Sequence, residues 1–169
     1  MIFDNITEII LAPLELEFSH SVKKNNQIYL GLCIKENRIE TELDMSFDKQ
    51  FECIIRKKNE GEKIIFCSFG TFYTGSNRLL LSFLEDLIQV INEMPNVQFI
   101  CSVNQFVSDT LKYQNKLHQK IHFFSKVPQL KVLEISDVFI THGGLGSIKE
   151  SIYYKVPLLV YPLDRKSVV

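Results

Sequence analysis

The chain has no tryptophan, and its seven glycines and five prolines are few for 169 residues. That excludes a collagen-like repeat and a glycine- and proline-rich disordered chain. Cysteine is scarce as well. Cys33, Cys53, Cys67 and Cys101 form no C-x-x-C pair, so the spacing of a structural zinc site is missing and no metal is expected. Three of the four lie in apolar stretches, and the expected state is that of buried, reduced thiols in a cytosolic protein. Surplus charge of either sign is missing, with 19 Lys and Arg against 20 Asp and Glu. Without a basic stripe, nucleic acid is not an expected partner. No run approaches the ~18 apolar residues that span a bilayer. The acidic start, MIFDNITEIILAPLELEF, has no basic region of the kind that opens a signal peptide. The expected location is cytoplasmic, with room for peripheral association with a membrane.

What is present is a rhythm of short apolar runs and amphipathic segments, beginning near the middle of the chain. Residues 28–34 (IYLGLCI) predict a strand, and residues 35–46 a polar connector. Phe47, Phe51, Ile54 and Ile55 recur at helical spacing, and Arg56–Lys58 suit the carboxyl end of that helix. KIIFCSF (63–69), VQFICSV (97–103), KIHFF (120–124), DVFIT (137–141) and PLLVY (157–161) predict strands. Leu80, Leu84, Leu87, Ile91 and Met94 mark one face of a helix stopped by Pro95. The stretch 104–120 is polar and weakly patterned. A brief helix is expected after Pro128, and another over Ser147–Tyr154. Strands that are apolar throughout are covered on both faces. The predicted fold is therefore α/β, a Rossmann-like doubly wound parallel sheet.

The densest chemistry lies in DVFITHGGLGSIKESIYYKVPLLVYP. A strand runs into a glycine-rich turn that opens a helix. The free N–H groups and partial positive charge of a helix amino terminus favour an anion. Gly143 and Gly144 let backbone come close to a phosphate, His142 can donate from its ring, and Ser147 offers a hydroxyl. Two other readings fit the same letters. Ser147 and Glu150 form S-x-x-E, the capping box, which explains both without a ligand. Gly144-x-Gly146 with Asp164 about twenty residues on imitates a dinucleotide fingerprint, although Lys149 stands where its third glycine belongs.

Four landmarks in order break the tie. Ser68-Phe69-Gly70-Thr71, Val127-Pro128-Gln129-xxx-Leu133, Phe139-Ile140-Thr141-His142-Gly143-Gly144-xx-Ser147-xx-Glu150 and Val156-Pro157-Leu158-Leu159-xx-Pro162 resemble the signatures of GT-B glycosyltransferases of the UDP-glycosyltransferase type. The resemblance covers about the last three-fifths of the chain. It implies the carboxyl-terminal half of a GT-B fold, incomplete here. It also implies transfer of a hexosyl group from a UDP-sugar, or another nucleotide diphosphate sugar, to a hydroxyl of a small-molecule or lipid acceptor. The nucleotide sugar is then a substrate, and no cofactor is expected.

Residue by residue, the resemblance has His142, Gly143, Gly144 and Ser147 holding the diphosphate and Glu150 meeting the ribose hydroxyls. Val127 presents backbone to the base, Gln129 lies near it, and Ser68, Gly70 and Thr71 line the cleft. Many relatives place a Trp where this chain has Lys126, so stacking on the base does not carry over. The general base implied by the family belongs to the amino-terminal acceptor domain. No residue of this chain is assigned as catalytic, and His20 reads as a surface residue.

Residues 1–46 are accordingly expected as the tail of that domain and its linker, and 47–163 as a truncated donor-binding domain. Residues 164–169 (DRKSVV) look like a translated sequencing-adapter sequence and are expected to be non-native. A chain so divided is expected to be inactive alone. The rival functions are an NAD-dependent oxidoreductase-type dinucleotide domain and a non-catalytic nucleotide-binding module.

Overall fold

A computed structural model describes residues 6–17, 25–70, 78–114 and 118–162. The chain divides into two compact units, Met1–Arg38 and Ile39–Val169.

In the first unit, β1 (Glu8–Ile10) pairs in parallel with β2 (Gln27–Tyr29), Glu8 opposite Gln27. A single 3-10 turn, Leu14–Leu16, follows Pro13. The strand expected over residues 28–34 stops at Tyr29. Gly31 (φ 79°) and Cys33 (φ 49°) take left-handed backbone that cannot continue a strand.

The second unit contains a five-stranded parallel sheet ordered β5-β4-β3-β6-β7. Its strands are β3 (Lys63–Ser68), β4 (Val97–Ser102), β5 (Ile121–Phe124), β6 (Val138–Thr141) and β7 (Leu158–Val160). The helices are α1 (Phe47–Asn59), α2 (Arg78–Glu93), α3 (Gln105–Gln114), α4 (Gln129–Ile135) and α5 (Leu145–Tyr154). This is the Rossmann-like, doubly wound α/β arrangement that the sequence predicts, and the strand alternation shows why both faces are covered. Cys67, Phe99, Cys101, Ile121, Phe123 and Ile140 pack with Leu80, Leu84, Ile88 and Ile91 of α2 and Val107 and Leu111 of α3. Ile64, Phe66, Ile100, Phe124 and Phe139 face the other way, against Phe47, Phe51 and Ile54 of α1 and Val132 and Leu133 of α4. Side chains of period two on strands meet helices on both sides, so most strand positions are apolar, and the buried exceptions include Gln98 and His122, which bond to each other. On the second face Phe66 and Phe139 stack with centroids 4.8 Å apart. Each such ring, fully buried, stabilises the fold by about 2–3 kcal/mol.

Three further details differ from the sequence reading. On α2 it is Ile88, not Leu87, that is fully buried, and Met94 lies beyond the helix and is partly exposed. The polar stretch after residue 104 holds helix α3. Asn104 caps it, its Oδ1 accepting from the Val107 N–H at 2.9 Å, and only Val107 and Leu111, four apart, are buried apolar residues on it. That stripe is too narrow to stand out as a period. Finally, Cys67 and Cys101 are buried but Cys33 and Cys53 are exposed. Cys33 sits in the irregular segment after β2, and Cys53 on the outer side of α1. Burial, with Cys101 alongside, pushes the Cys67 thiol well up, so it remains an inert thiol.

Among the described residues no helix is long and apolar enough to cross a membrane, and no group of three or more His, Cys, Asp or Glu side chains is placed to hold a metal ion.

Candidate functional site

Strand order reverses direction between β3 and β6. The chain leaves β3 toward β4 and β5, then returns to add β6 and β7 on the other side. At such a switch point the loops after neighbouring strands part, leaving a crevice beyond the carboxyl ends. Ser68 and Thr141, the last residues of the two strands, are paired there. The segments that follow, Phe69-Gly70 and His142-Gly143-Gly144, are two of the four landmarks. Topology therefore brings together residues over seventy positions apart.

The His142 ring fills the space between the two turns. A Cβ on Gly144 would lie 2.8 Å from its Nε2, and one on Gly70 would lie 3.3 Å from its Cε1. The first separation is closer than real Cβ contacts allow, so any side chain at position 144 would push the His142 ring from its place. Gly70 (φ 72°) and Gly143 (φ 88°) also take backbone that L side chains rarely adopt. Gly146 differs, because a Cβ there would meet nothing within 4 Å. It is the second residue of α5 and not part of the turn, which removes the turn glycine that the dinucleotide pattern needs.

Helix α5 begins at Leu145, two residues earlier than its pattern suggested, with Gly144 as N-cap and no side chain bonded to the cap. Ser147 is thus the third helical residue and cannot act as a capping-box N-cap, so that reading fails. Its hydroxyl and the Glu150 carboxylate, one turn apart, both face Gln129. Gln129 Nε2 donates to Glu150 Oε2 at 2.7 Å and to Ser147 Oγ at 3.3 Å. Glu150 is buried (7% exposed). A carboxylate at that depth is costly unless it accepts hydrogen bonds, and Gln129 supplies one. Val127 sends its side chain into the core against α1 and α4.

The sequence-predicted residues therefore gather in two places. Ser68, Gly70, His142, Gly143 and Gly144 meet at the switch point. Gln129, Ser147 and Glu150 join along the first turns of α4 and α5. Thr71 lies outside the described residues, as do His20 and residues 164–169.

Two residues escaped the sequence reading. Thr141 is completely buried, and its Oγ1 has no hydrogen-bond partner among the described residues. Asp44, in the connector before α1, reaches the segment ahead of Val127. Its Oδ2 accepts from the Ser125 backbone N–H (2.9 Å) and hydroxyl (3.1 Å), and its own N–H donates to the Lys126 carbonyl (3.0 Å). Its Oδ1 accepts from the backbone N–H and hydroxyl of Ser46 at 2.9 and 2.7 Å. Burial alone would raise the Asp44 carboxyl, but these donors outweigh it and hold the group below the usual carboxylate range. The only trace in the letters is Asp44-x-Ser46 before a helix, an Asx-turn pattern too common to mark a long-range contact.

No family model matches the chain. Curated relatives do. The chain is 64% identical over 39 residues to the uncharacterized UDP-glucosyltransferase YdhE of Bacillus subtilis (strain 168), a match over 23% of this chain and 10% of that protein. It is 24% identical over 101 residues to the oleandomycin glycosyltransferase of Streptomyces antibioticus, covering 60% of this chain and 22% of that one. Among solved structures, the glycotransferase of kitacinnamycin superposes with a TM-score of 0.54 at 30% identity, over 63% of this chain and 26% of the other. The chain thus spans about a tenth to a quarter of the length of these proteins. Sequence and fold agree that this chain is related, across about three-fifths of its length, to glycosyltransferases of the UDP-glycosyltransferase type with the GT-B fold.

Proposed function

We propose that this chain carries the donor site of a glycosyltransferase that moves a hexosyl group from a UDP-sugar, or another nucleotide diphosphate sugar, to an acceptor hydroxyl. One observation carries the reading: the imidazole of His142, seated between Gly70 and Gly144 beside the uncapped amino terminus of α5. A helix start with no side-chain cap leaves N–H donors for an anion, and the turn glycines keep side chains out of its way.

In this reading the diphosphate lies on the Gly143–Ser147 segment. As the bond from sugar to phosphate breaks, negative charge grows on the leaving diphosphate. The α5 N–H groups and His142 are already oriented toward it, so they stabilise the transition state with little reorganisation. Glu150 and Gln129 receive the ribose, a ribose hydroxyl replacing part of the present Gln129–Glu150 contact, and backbone at Val127 meets the base. Ser68 and Gly70 line the opposite wall. The acceptor is a small molecule or lipid, bound together with the general base by an amino-terminal acceptor domain. The protein works in the cytoplasm and needs no cofactor beyond its donor.

Titration calorimetry with UDP tests the site. Binding by the chain that is lost in H142A, with helical content unchanged, is the expected result. Binding of NAD but not UDP would instead identify a dinucleotide domain. Binding of UDP without transfer by the complete protein would favour the non-catalytic module.

A further inference from the structure

The loop that precedes α4 is held at both ends. Downstream, Gln129 is tied to Ser147 and Glu150. Upstream, the backbone of Ser125 and Lys126 is gripped by Asp44, which comes from a connector 81 residues earlier. Asp44 uses every polar group it has. Its carboxylate accepts from four donors on Ser46 and Ser125, its N–H donates to Lys126, and its carbonyl accepts from Phe47 at the start of α1. Hydrogen bonds to an ionised acceptor are about twice as strong as neutral ones. The side chain is thus a fixed bracket between the entrance of α1 and the segment Ser125-Lys126-Val127.

We propose that Asp44 is a positioning residue for nucleotide recognition, holding the Val127 backbone where the base meets it. This rests on the donor-site reading above. Asp44 touches no substrate in that reading and acts through Ser125 and Lys126. Lys126 contributes little holding force of its own, because its ammonium is 3.9 Å from the exposed Glu42 carboxylate, and an exposed pair of that kind is weak. Without Asp44 the loop keeps its downstream tie and loses the upstream one. A site whose loop occupies the bound position about one-tenth of the time binds about tenfold more weakly.

The test pairs UDP affinity with amide hydrogen exchange at Ser125, using the full chain and the variants D44A, D44N and D137N. Asp137 is a second carboxylate with similar partners, Lys58 at 2.6 Å and the Ile64 N–H at 2.9 Å, but it precedes β6 at the far end of the sheet. D44A is expected to weaken UDP binding about tenfold and to speed exchange at Ser125. D44N keeps one acceptor oxygen for Ser125 and is expected to recover most of both. D137N is expected to lower thermal stability and leave both readouts alone. UDP affinity in D44A equal to wild type, or an equal loss in D137N, would overturn the proposal. Should D44A fail to fold, D44S takes its place, since its shorter side chain can still bond the Ser46 N–H but falls short of Ser125, and unchanged affinity and exchange in D44S would overturn the proposal too. If the wild-type chain binds no UDP, the donor-site reading fails, and exchange at Ser125 in D44A then decides by itself whether Asp44 holds the loop.

Discussion

Acidification from pH 7 to pH 4 is expected to destabilise the fold chiefly through one buried ring. His122 lies on β5, only 8% exposed, with Nε2 2.8 Å from Gln98 Oε1 and Nδ1 3.2 Å from Gln50 Oε1. Gln98 cannot turn away, because its amide donates to Glu62 at 2.6 Å. Burial lowers the His122 value from 6.5 to about 4. At pH 7 the ring is neutral in both folded and unfolded chains. Between 6.5 and about 4 the unfolded chain takes up a proton that the folded chain refuses. Stability is therefore present above the unfolded value and is lost as pH falls toward the folded one. At ~1.36 kcal/mol per pH unit that window is worth about 3 kcal/mol. The figure is a ceiling, since two amide oxygens facing the ring favour its charged form. The assay is urea unfolding followed by circular dichroism at pH 7, 6, 5 and 4.5, on wild type and H122N. H122N can donate to Gln50 from the place of the ring Nδ1 but cannot titrate, so its stability should fall less steeply. Parallel curves for the two proteins over this range would refute the account.

Three further outcomes are expected. Lys155 ends α5 with left-handed backbone (φ 57°, ψ 34°), so K155G should stabilise the chain by about 1 kcal/mol in thermal or urea unfolding. T141V replaces a buried hydroxyl that has no partner among the described residues with a methyl of the same shape, and should stabilise by about 1 kcal/mol. D137N should cost about 1 kcal/mol at pH 7. Burial raises the Asp137 carboxyl, but Lys58, the Ile64 N–H and Lys63 together hold it below the usual range. Its contribution is thus present above the unfolded carboxylate value and lost as pH falls through the folded one, so wild type and D137N should converge in strongly acidic urea titrations.

The core was legible because its strands are buried on both faces. Runs such as KIIFCSF and VQFICSV are too short to cross a bilayer and suit strands covered on both faces, and Phe47, Phe51 and Ile54 had already declared the helix that covers one of those faces. Helix α3 was not legible, since two buried residues and an Asn cap make too weak a period. Nor was the true start of α5. Ser147 and Glu150 spell a capping box, but the Gly144 backbone starts the helix and frees both side chains for Gln129.

Local letters thus settled the composition of the site: a glycine turn that admits an anion, a histidine before it, and a serine and glutamate one turn apart. They settled this because backbone freedom and donor chemistry belong to single residues and near neighbours. Assembly was decided in three dimensions. The His142 ring between Gly70 and Gly144, the sharing of Gln129 by Ser147 and Glu150, and the reach of Asp44 to Ser125 all join residues far apart in the chain. Such contacts depend on strand order and register, which follow from burying the whole sheet at once, and no local pattern encodes them.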